Sequence, residues 1–74
     1  MHFDAKLQAF RTTWMQECID RFYGSDDIDQ VNADLTEEML AEIEEAFGDD
    51  LSPFAKEDIV NSIVEDAREY AMAM

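Results

Sequence analysis

The sequence contains few basic residues and very little glycine, proline or cysteine. Of its 74 residues, five are Lys or Arg, two are Gly, and Pro, Cys and His occur once each. A single cysteine, Cys18, excludes a disulfide within the chain and is typical of a reducing compartment. With so little Gly and Pro, the chain has no glycine-rich cofactor loop and no linker that would divide it. One histidine and one cysteine cannot build a zinc site.

Long hydrophobic runs are also absent. No window approaches the eighteen consecutive apolar residues that a membrane span requires. The start Met1-His2-Phe3-Asp4 lacks the basic residues and following apolar run of a signal peptide. We therefore expect a cytoplasmic protein that does not associate with a membrane.

Catalytic patterns are missing as well. The sequence has no Gly-x-Ser-x-Gly nucleophile turn, and carboxylates are so numerous that no pair is marked out for acid/base work. Cys18 lies on an apolar stripe without a neighbouring histidine or cationic cluster, so we interpret it as a small core residue. The expectation is a protein that is not an enzyme and uses neither cofactor nor metal.

Acidic residues dominate what is present. Nineteen Asp and Glu against five Lys and Arg give a formal net charge of −14. The charges of residues 1–24 cancel, so the excess lies in residues 25–74, where sixteen carboxylates meet only Lys56 and Arg68. An apolar fraction of 47% and eight aromatic residues predict a folded chain nonetheless. A chain this short has a thin core, for which homodimerisation is one remedy.

Apolar residues at helical spacing predict an all-α fold, a small compact bundle of three to four helices in a single domain over residues 1–74. The first helix is predicted from Phe3 to Tyr23, and Gly24 closes it in the left-handed conformation. The rest of the chain is expected to fold around its stripe of large apolar residues, widened on one side by Met15, Ile19 and Tyr23: Phe3, Leu7, Phe10, Trp14, Cys18 and Phe22.

Capping residues divide the rest of the chain, residues 25–74, into three further predicted helices. Ser25-Asp26-Asp27 predicts the start of a short second helix, which ends in a turn at Asn32-Ala33-Asp34, and Thr36 then starts a third that ends at Gly48. Ser52-Pro53 starts a fourth. Its predicted buried face comprises Phe54, Ile59, Val60, Ile63, Val64, Ala67, Tyr70 and Ala71.

The carboxylates of the third predicted helix form rows. Glu38, Glu42 and Glu45 follow each other at steps of four and three, with neighbours about 5–6 Å apart, and Glu37 and Glu44 run beside them. Like charges at these spacings cost roughly 0.2–0.5 kcal/mol per pair, so a chain selected only for stability would dilute them. Duplex DNA carries a phosphate about every 3.4 Å per strand, a coarse match in density. The predicted partner-binding residues are Glu37, Glu38, Glu42, Glu44, Glu45, Asp49 and Asp50.

These rows favour a binding protein that mimics nucleic acid and occupies the basic groove of a DNA- or RNA-binding protein, without binding nucleic acid itself. In size, acidity and helicity the chain is similar to the small phage-encoded inhibitors of restriction and CRISPR systems, although it shares no motif with them. One alternative is an acidic adaptor or subunit that binds its partner, or itself, mainly through apolar side chains. A merely solubilising surface and adaptation to high salt are the others.

Two local patterns are similar to other protein families but lack residues that those families require. Residues 27–38 resemble an EF-hand calcium loop, yet Val31 and Asn32 stand where that loop requires an oxygen ligand and a glycine, so a capped helix start is favoured. Acyl carrier proteins are similar in size, charge and helix count. Their prosthetic group is attached to the Ser of an Asp-Ser-Leu motif, and Ser25 lacks both the preceding Asp and the following Leu.

Overall fold

The computed structural model describes the backbone of residues 2–73 and the side chains of residues 4–73. It contains three α-helices: α1 (His2–Tyr23), α2 (Ile28–Phe47) and α3 (Pro53–Ala73), with a short 3-10 helix, Gly48–Asp50, between the last two. The described residues form no strand, and the predicted all-α bundle is confirmed. The bundle measures 36 × 20 × 15 Å between its Cα extremes.

Side-chain caps start α2 and α3 as predicted. The backbone N–H of Gln30 donates to Asp27 Oδ1 at 3.1 Å, and that of Ala55 donates to Ser52 Oγ at 3.1 Å. Each cap satisfies a donor that the first helical turn would leave unpaired. Gly48 ends α2 with a φ of +52°, and its N–H is bonded to the carbonyl of Glu44.

The predicted turn at Asn32-Ala33-Asp34 is wrong, because α2 runs through it without a break. Thr36 does not cap a new helix; its hydroxyl donates back to the Asn32 carbonyl at 2.8 Å. Leu35 is fully buried and begins a row that continues at steps of four through Met39, Ile43 and Phe47. Burial along this row outweighs the weak helix propensity of Asn and Asp.

The left-handed conformation predicted for Gly24 is also wrong, since Gly48 is the one described residue with a positive φ. The first helix closes instead through ordinary turn bonds. The N–H of Gly24 donates to the Asp20 carbonyl at 3.3 Å, and the N–H of Ser25 donates to the Phe22 carbonyl at 3.4 Å.

All three helices contribute to the core, and α3 packs against both others, most extensively against α1. The expectation that the chain folds around α1 alone is therefore corrected in part, because α1 supplies two of the ten buried apolar residues and the other helices four each. Phe10 and Trp14 of α1 are half-buried, and the Phe10 ring meets the Phe47 ring edge-on at 5.9 Å. The side chain of Phe3 lies outside the described residues. The buried set is Cys18, Phe22, Leu35, Met39, Ile43, Phe47, Val60, Ile63, Val64 and Ala67.

Two residues assigned to the buried face of α3 are exposed: Phe54 by 86% and Tyr70 by 54%. Helical register explains the first. Four residues before the buried Val60 stands Lys56, which is only 7% exposed, whereas Phe54 lies about 120° round the helix from Val60.

Candidate functional site

Every carboxylate of the chain is exposed. All nineteen Asp and Glu side chains fall in the exposed class, including the seven predicted to bind a partner. Glu17, Glu38 and Glu44 form ion pairs, and the other sixteen form none with the described residues. Most of the negative charge is therefore not neutralised within the described part of the molecule.

The seven predicted residues lie on two flanks of the exposed side of α2 and on the 3-10 helix that follows it. The row of Glu38, Glu42 and Glu45 borders α1, because Glu38 is bound by Arg21 of that helix. The row of Glu37 and Glu44 borders α3, because Glu44 is bound by Lys56 of α3. Asp49 and Asp50 extend the acidic surface past the end of α2.

Arg21 of α1 binds Glu38, on the flank of α2 that borders α1, through both of its terminal nitrogens. Its Nη1 lies 2.5 Å from Glu38 Oε2 and its Nη2 lies 3.1 Å from Oε1, while its Nε bonds Glu17 at 2.9 Å. Hydrogen bonds from this guanidinium lower the pKa of Glu38, and the two carboxylates raise the pKa of Arg21. Part of the charge of Glu38 is thus compensated by α1.

Lys56 of α3 is nearly buried and binds Glu44, on the flank of α2 that borders α3. Its side chain is 9% exposed, and its Nζ lies 2.5 Å from Oε2 of Glu44, which is 67% exposed. Five predicted residues form no ion pair with the described residues: Glu37, Glu42, Glu45, Asp49 and Asp50.

Glu57 and Asp58 add to this surface, although they were not predicted to bind a partner. They lie in the first turns of α3, directly after the 3-10 helix, so the carboxylates of residues 42–58 gather at one end of the bundle. We call this set the acidic pole. Lys56 is already paired with Glu44, and Lys6 of α1 brings a second cation to the end of α2, where it bonds the carbonyl of Ala46. The exposed Phe54 also lies within the set. The members of the acidic pole are Glu42, Glu44, Glu45, Asp49, Asp50, Glu57 and Asp58.

Towards the other end of the bundle, the surface between α2 and α3 changes character. A groove of about 420 Å³ is lined there by three uncharged polar side chains, Asn32, Thr36 and Asn61, together with Val64, Glu65 and Arg68. Arg68 forms no ion pair with the described residues. The carboxylates of the acidic pole therefore do not line this groove.

Cys18 is a core residue, in agreement with its place on the apolar stripe. It is fully buried, and its Sγ donates to the Met39 sulfur at 3.7 Å. Burial raises the pKa of the thiol to about 11, so it is protonated at neutral pH.

The segment that resembles an EF-hand is a helix start, because Asp27 caps α2 and Asp29 lies in its first turn. No group of three His, Cys, Asp or Glu side chains within the described residues is placed to hold a metal ion. None of the described helices is long and apolar enough to cross a membrane.

In comparisons with known proteins, the chain matches no protein-family model, no curated protein and no solved structure.

Proposed function

We propose that this protein is a non-catalytic binding protein that mimics nucleic acid and occupies the basic groove of a DNA- or RNA-binding protein in the cytoplasm. Phage inhibitors of restriction and CRISPR systems act in this general manner. The acidic pole is the observation that supports the proposal. Six of its seven carboxylates form no ion pair with the described residues, and the seventh, Glu44, is two-thirds exposed.

Crowding makes these charges act together. Neighbours on a helix face stand about 5–6 Å apart, which is less than the Debye length of about 8 Å at physiological salt. An approaching basic groove therefore meets the sum of several charges, and this attraction steers docking and raises the association rate. Nucleic acid itself is repelled, which leaves a cationic protein surface as the partner.

Competition with nucleic acid provides the test. Wild-type protein is immobilised beside a pole variant, Glu45→Gln/Asp49→Asn/Asp50→Asn, and a control variant, Asp26→Asn/Asp66→Asn/Glu69→Gln, which loses the same charge elsewhere. Host lysate is applied at about 50 mM salt, and elution is tried with duplex DNA, with RNA and with about 300 mM salt. We expect nucleic-acid-binding proteins to be retained by the wild type and the control variant, and to be released by nucleic acid and by salt. The pole variant should not retain them.

Equal capture by the pole and control variants would remove the acidic pole from the site. Captured proteins that resist both salt and nucleic acid would contradict the mimicry.

A second candidate function is that of an acidic adaptor that binds its partner through apolar side chains. It is favoured by four large apolar residues that are half exposed or more: Tyr23, Phe54, Tyr70 and Met72. An apolar interface scarcely responds to salt, so the same elution distinguishes the two functions.

A further inference from the structure

α1 carries a second stripe beside the one that enters the core. Its members follow each other at steps of three and four and bear no charge, and the stripe lies about 100° round the helix from Cys18. Met15 and Ile19 are half-buried within it, and Tyr23 exposes 52% of its surface. We call this set the neutral stripe: Ala5, Gln8, Thr12, Met15, Ile19 and Tyr23.

The neutral stripe contains a shallow groove. Its volume is about 310 Å³, and Thr12, Met15 and Ile19 line it together with Arg11 and Gln16 at its sides. The surface thus places partly exposed apolar side chains beside a shallow depression along α1.

The charged side chains that bind α2 come from the other side of α1, whereas α3 is the helix that α1 contacts most extensively. Lys6 bonds the Ala46 carbonyl and lies 4.9 Å from the centre of the Phe47 ring, and Arg21 binds Glu38. Lys6 and Arg21 lie on the opposite side of the core stripe from the neutral stripe. The seven carboxylates of α2 are therefore directed away from it.

We propose that the neutral stripe is a self-association surface whose occupant is a second copy of this chain. Steps of three and four form a helical seam that packs against an equivalent seam, and a two-fold pair places the same surface on both partners. The charges of residues 1–24 sum to zero, so two molecules of net charge −14 that meet along α1 bring together the one segment whose own charges cancel.

Distances within the molecule support this choice of occupant. The bundle is 15–20 Å thick in its two shorter directions, about twice the Debye length at physiological salt. Carboxylates on the far side of each copy are therefore largely screened from those of the other. Stable dimers bury about 800 Å² per partner, roughly a sixth of the 5034 Å² surface of this chain. A pair formed in this way presents two acidic poles.

The test compares two variants with the same added charge. Gln8→Glu/Thr12→Glu places carboxylates in the neutral stripe, whereas Ala9→Glu/Thr13→Glu places them one residue further along, on an exposed face outside it. All four positions are exposed, so both variants are expected to fold, and circular dichroism checks this. Sedimentation equilibrium then measures mass from about 5 to about 500 μM protein, at low and at moderate salt.

We expect the wild-type mass to rise from 8.5 kDa towards twice that value. The dissociation constant should rise about tenfold or more in the stripe variant and about twofold in the control. Salt should strengthen the dimer because it screens the repulsion between copies. A wild type that stays monomeric at every concentration and salt, or variants that weaken equally, would overturn the proposal. This inference does not rest on the proposed function. Salt is expected to weaken binding to a basic partner but to strengthen the dimer, so the two proposals can fail independently.

Discussion

At the scale of single residues, Lys56 is both a core residue and a charge. From its sequence position it counts only as one of two cations in the acidic part of the chain. In the structure its stem extends the buried row of Val60, and its ammonium reaches the surface at Glu44. The register of α3 contained this information, since Lys56 stands one helical turn before Val60.

Removing the carboxylate partner of Lys56 should destabilise the fold. In Glu44→Gln the nearly buried ammonium loses a charged acceptor, and we expect the free energy of unfolding to fall by about 1 kcal/mol, a figure reduced because Glu44 is exposed. Glu42→Gln removes the same charge without breaking an ion pair, so its stability should be unchanged or slightly higher. Urea denaturation of the two variants and the wild type measures the difference. Equal effects would show that the Lys56–Glu44 pair contributes nothing.

At the scale of helices, their starts could be predicted from local chemistry but the continuity of α2 could not. Caps at Asp27 and Ser52 act over three residues, so the sequence displays them directly. Whether α2 continues through Asn32-Ala33-Asp34 depends on the burial of Leu35, and the structure packs that residue into the core shared with α3. Local propensity favoured a turn, and tertiary packing decided otherwise.

The two glycines should respond differently to alanine. Gly48 has a φ of +52°, and no atom lies within 4 Å of an added Cβ, so Gly48→Ala meets backbone strain alone. We expect it to cost about 1–3 kcal/mol. Gly24 lies outside the positive-φ region, and its added Cβ would meet the Asp20 carbonyl oxygen at an ordinary 3.7 Å. Gly24→Ala should be neutral or stabilising by up to about 1 kcal/mol.

Thermal unfolding of both glycine variants measures the contrast. A Gly48→Ala variant as stable as the wild type would mean that the chain leaves α2 without needing a positive φ at this residue.

At the scale of the whole molecule, the charge asymmetry could be predicted from composition, whereas its division over the surface could not. A neutral α1 and an acidic remainder follow from counting residues. The two flanks of α2 are defined by ion pairs that join residues 17 and 12 positions apart, Arg21 with Glu38 and Lys56 with Glu44. Such pairs depend on how the helices pack, which a single helix cannot reveal. The acidic pole likewise includes Glu57 and Asp58, which lie in the first turns of α3, directly after the 3-10 helix.

Sixteen carboxylates form no ion pair within the described part of the chain, and their mutual repulsion should make the fold more stable as salt rises. The Debye length is about 30 Å at 0.01 M salt and about 3 Å at 1 M, so charges interact over most of the 36 Å molecule at the lower concentration only. We expect Tm to increase by several degrees over this range, about what 1 kcal/mol produces in a domain of this size. Scanning calorimetry at two protein concentrations separates this effect from dimer formation.

The pole variant Glu45→Gln/Asp49→Asn/Asp50→Asn provides the control for this measurement. It removes three carboxylates that form no ion pair with any described residue, so its Tm should exceed that of the wild type at low salt and rise less as salt is added. A Tm that falls with salt would instead mean that the pairs formed by Arg21 and Lys56 outweigh the repulsion. In that case repulsion within the acidic surface would scarcely lower the free energy of unfolding. Stability would then give no reason to infer a function for the acidic pole. A rising Tm would show that the chain retains charges that weaken its own fold, as expected when a partner's cations compensate them.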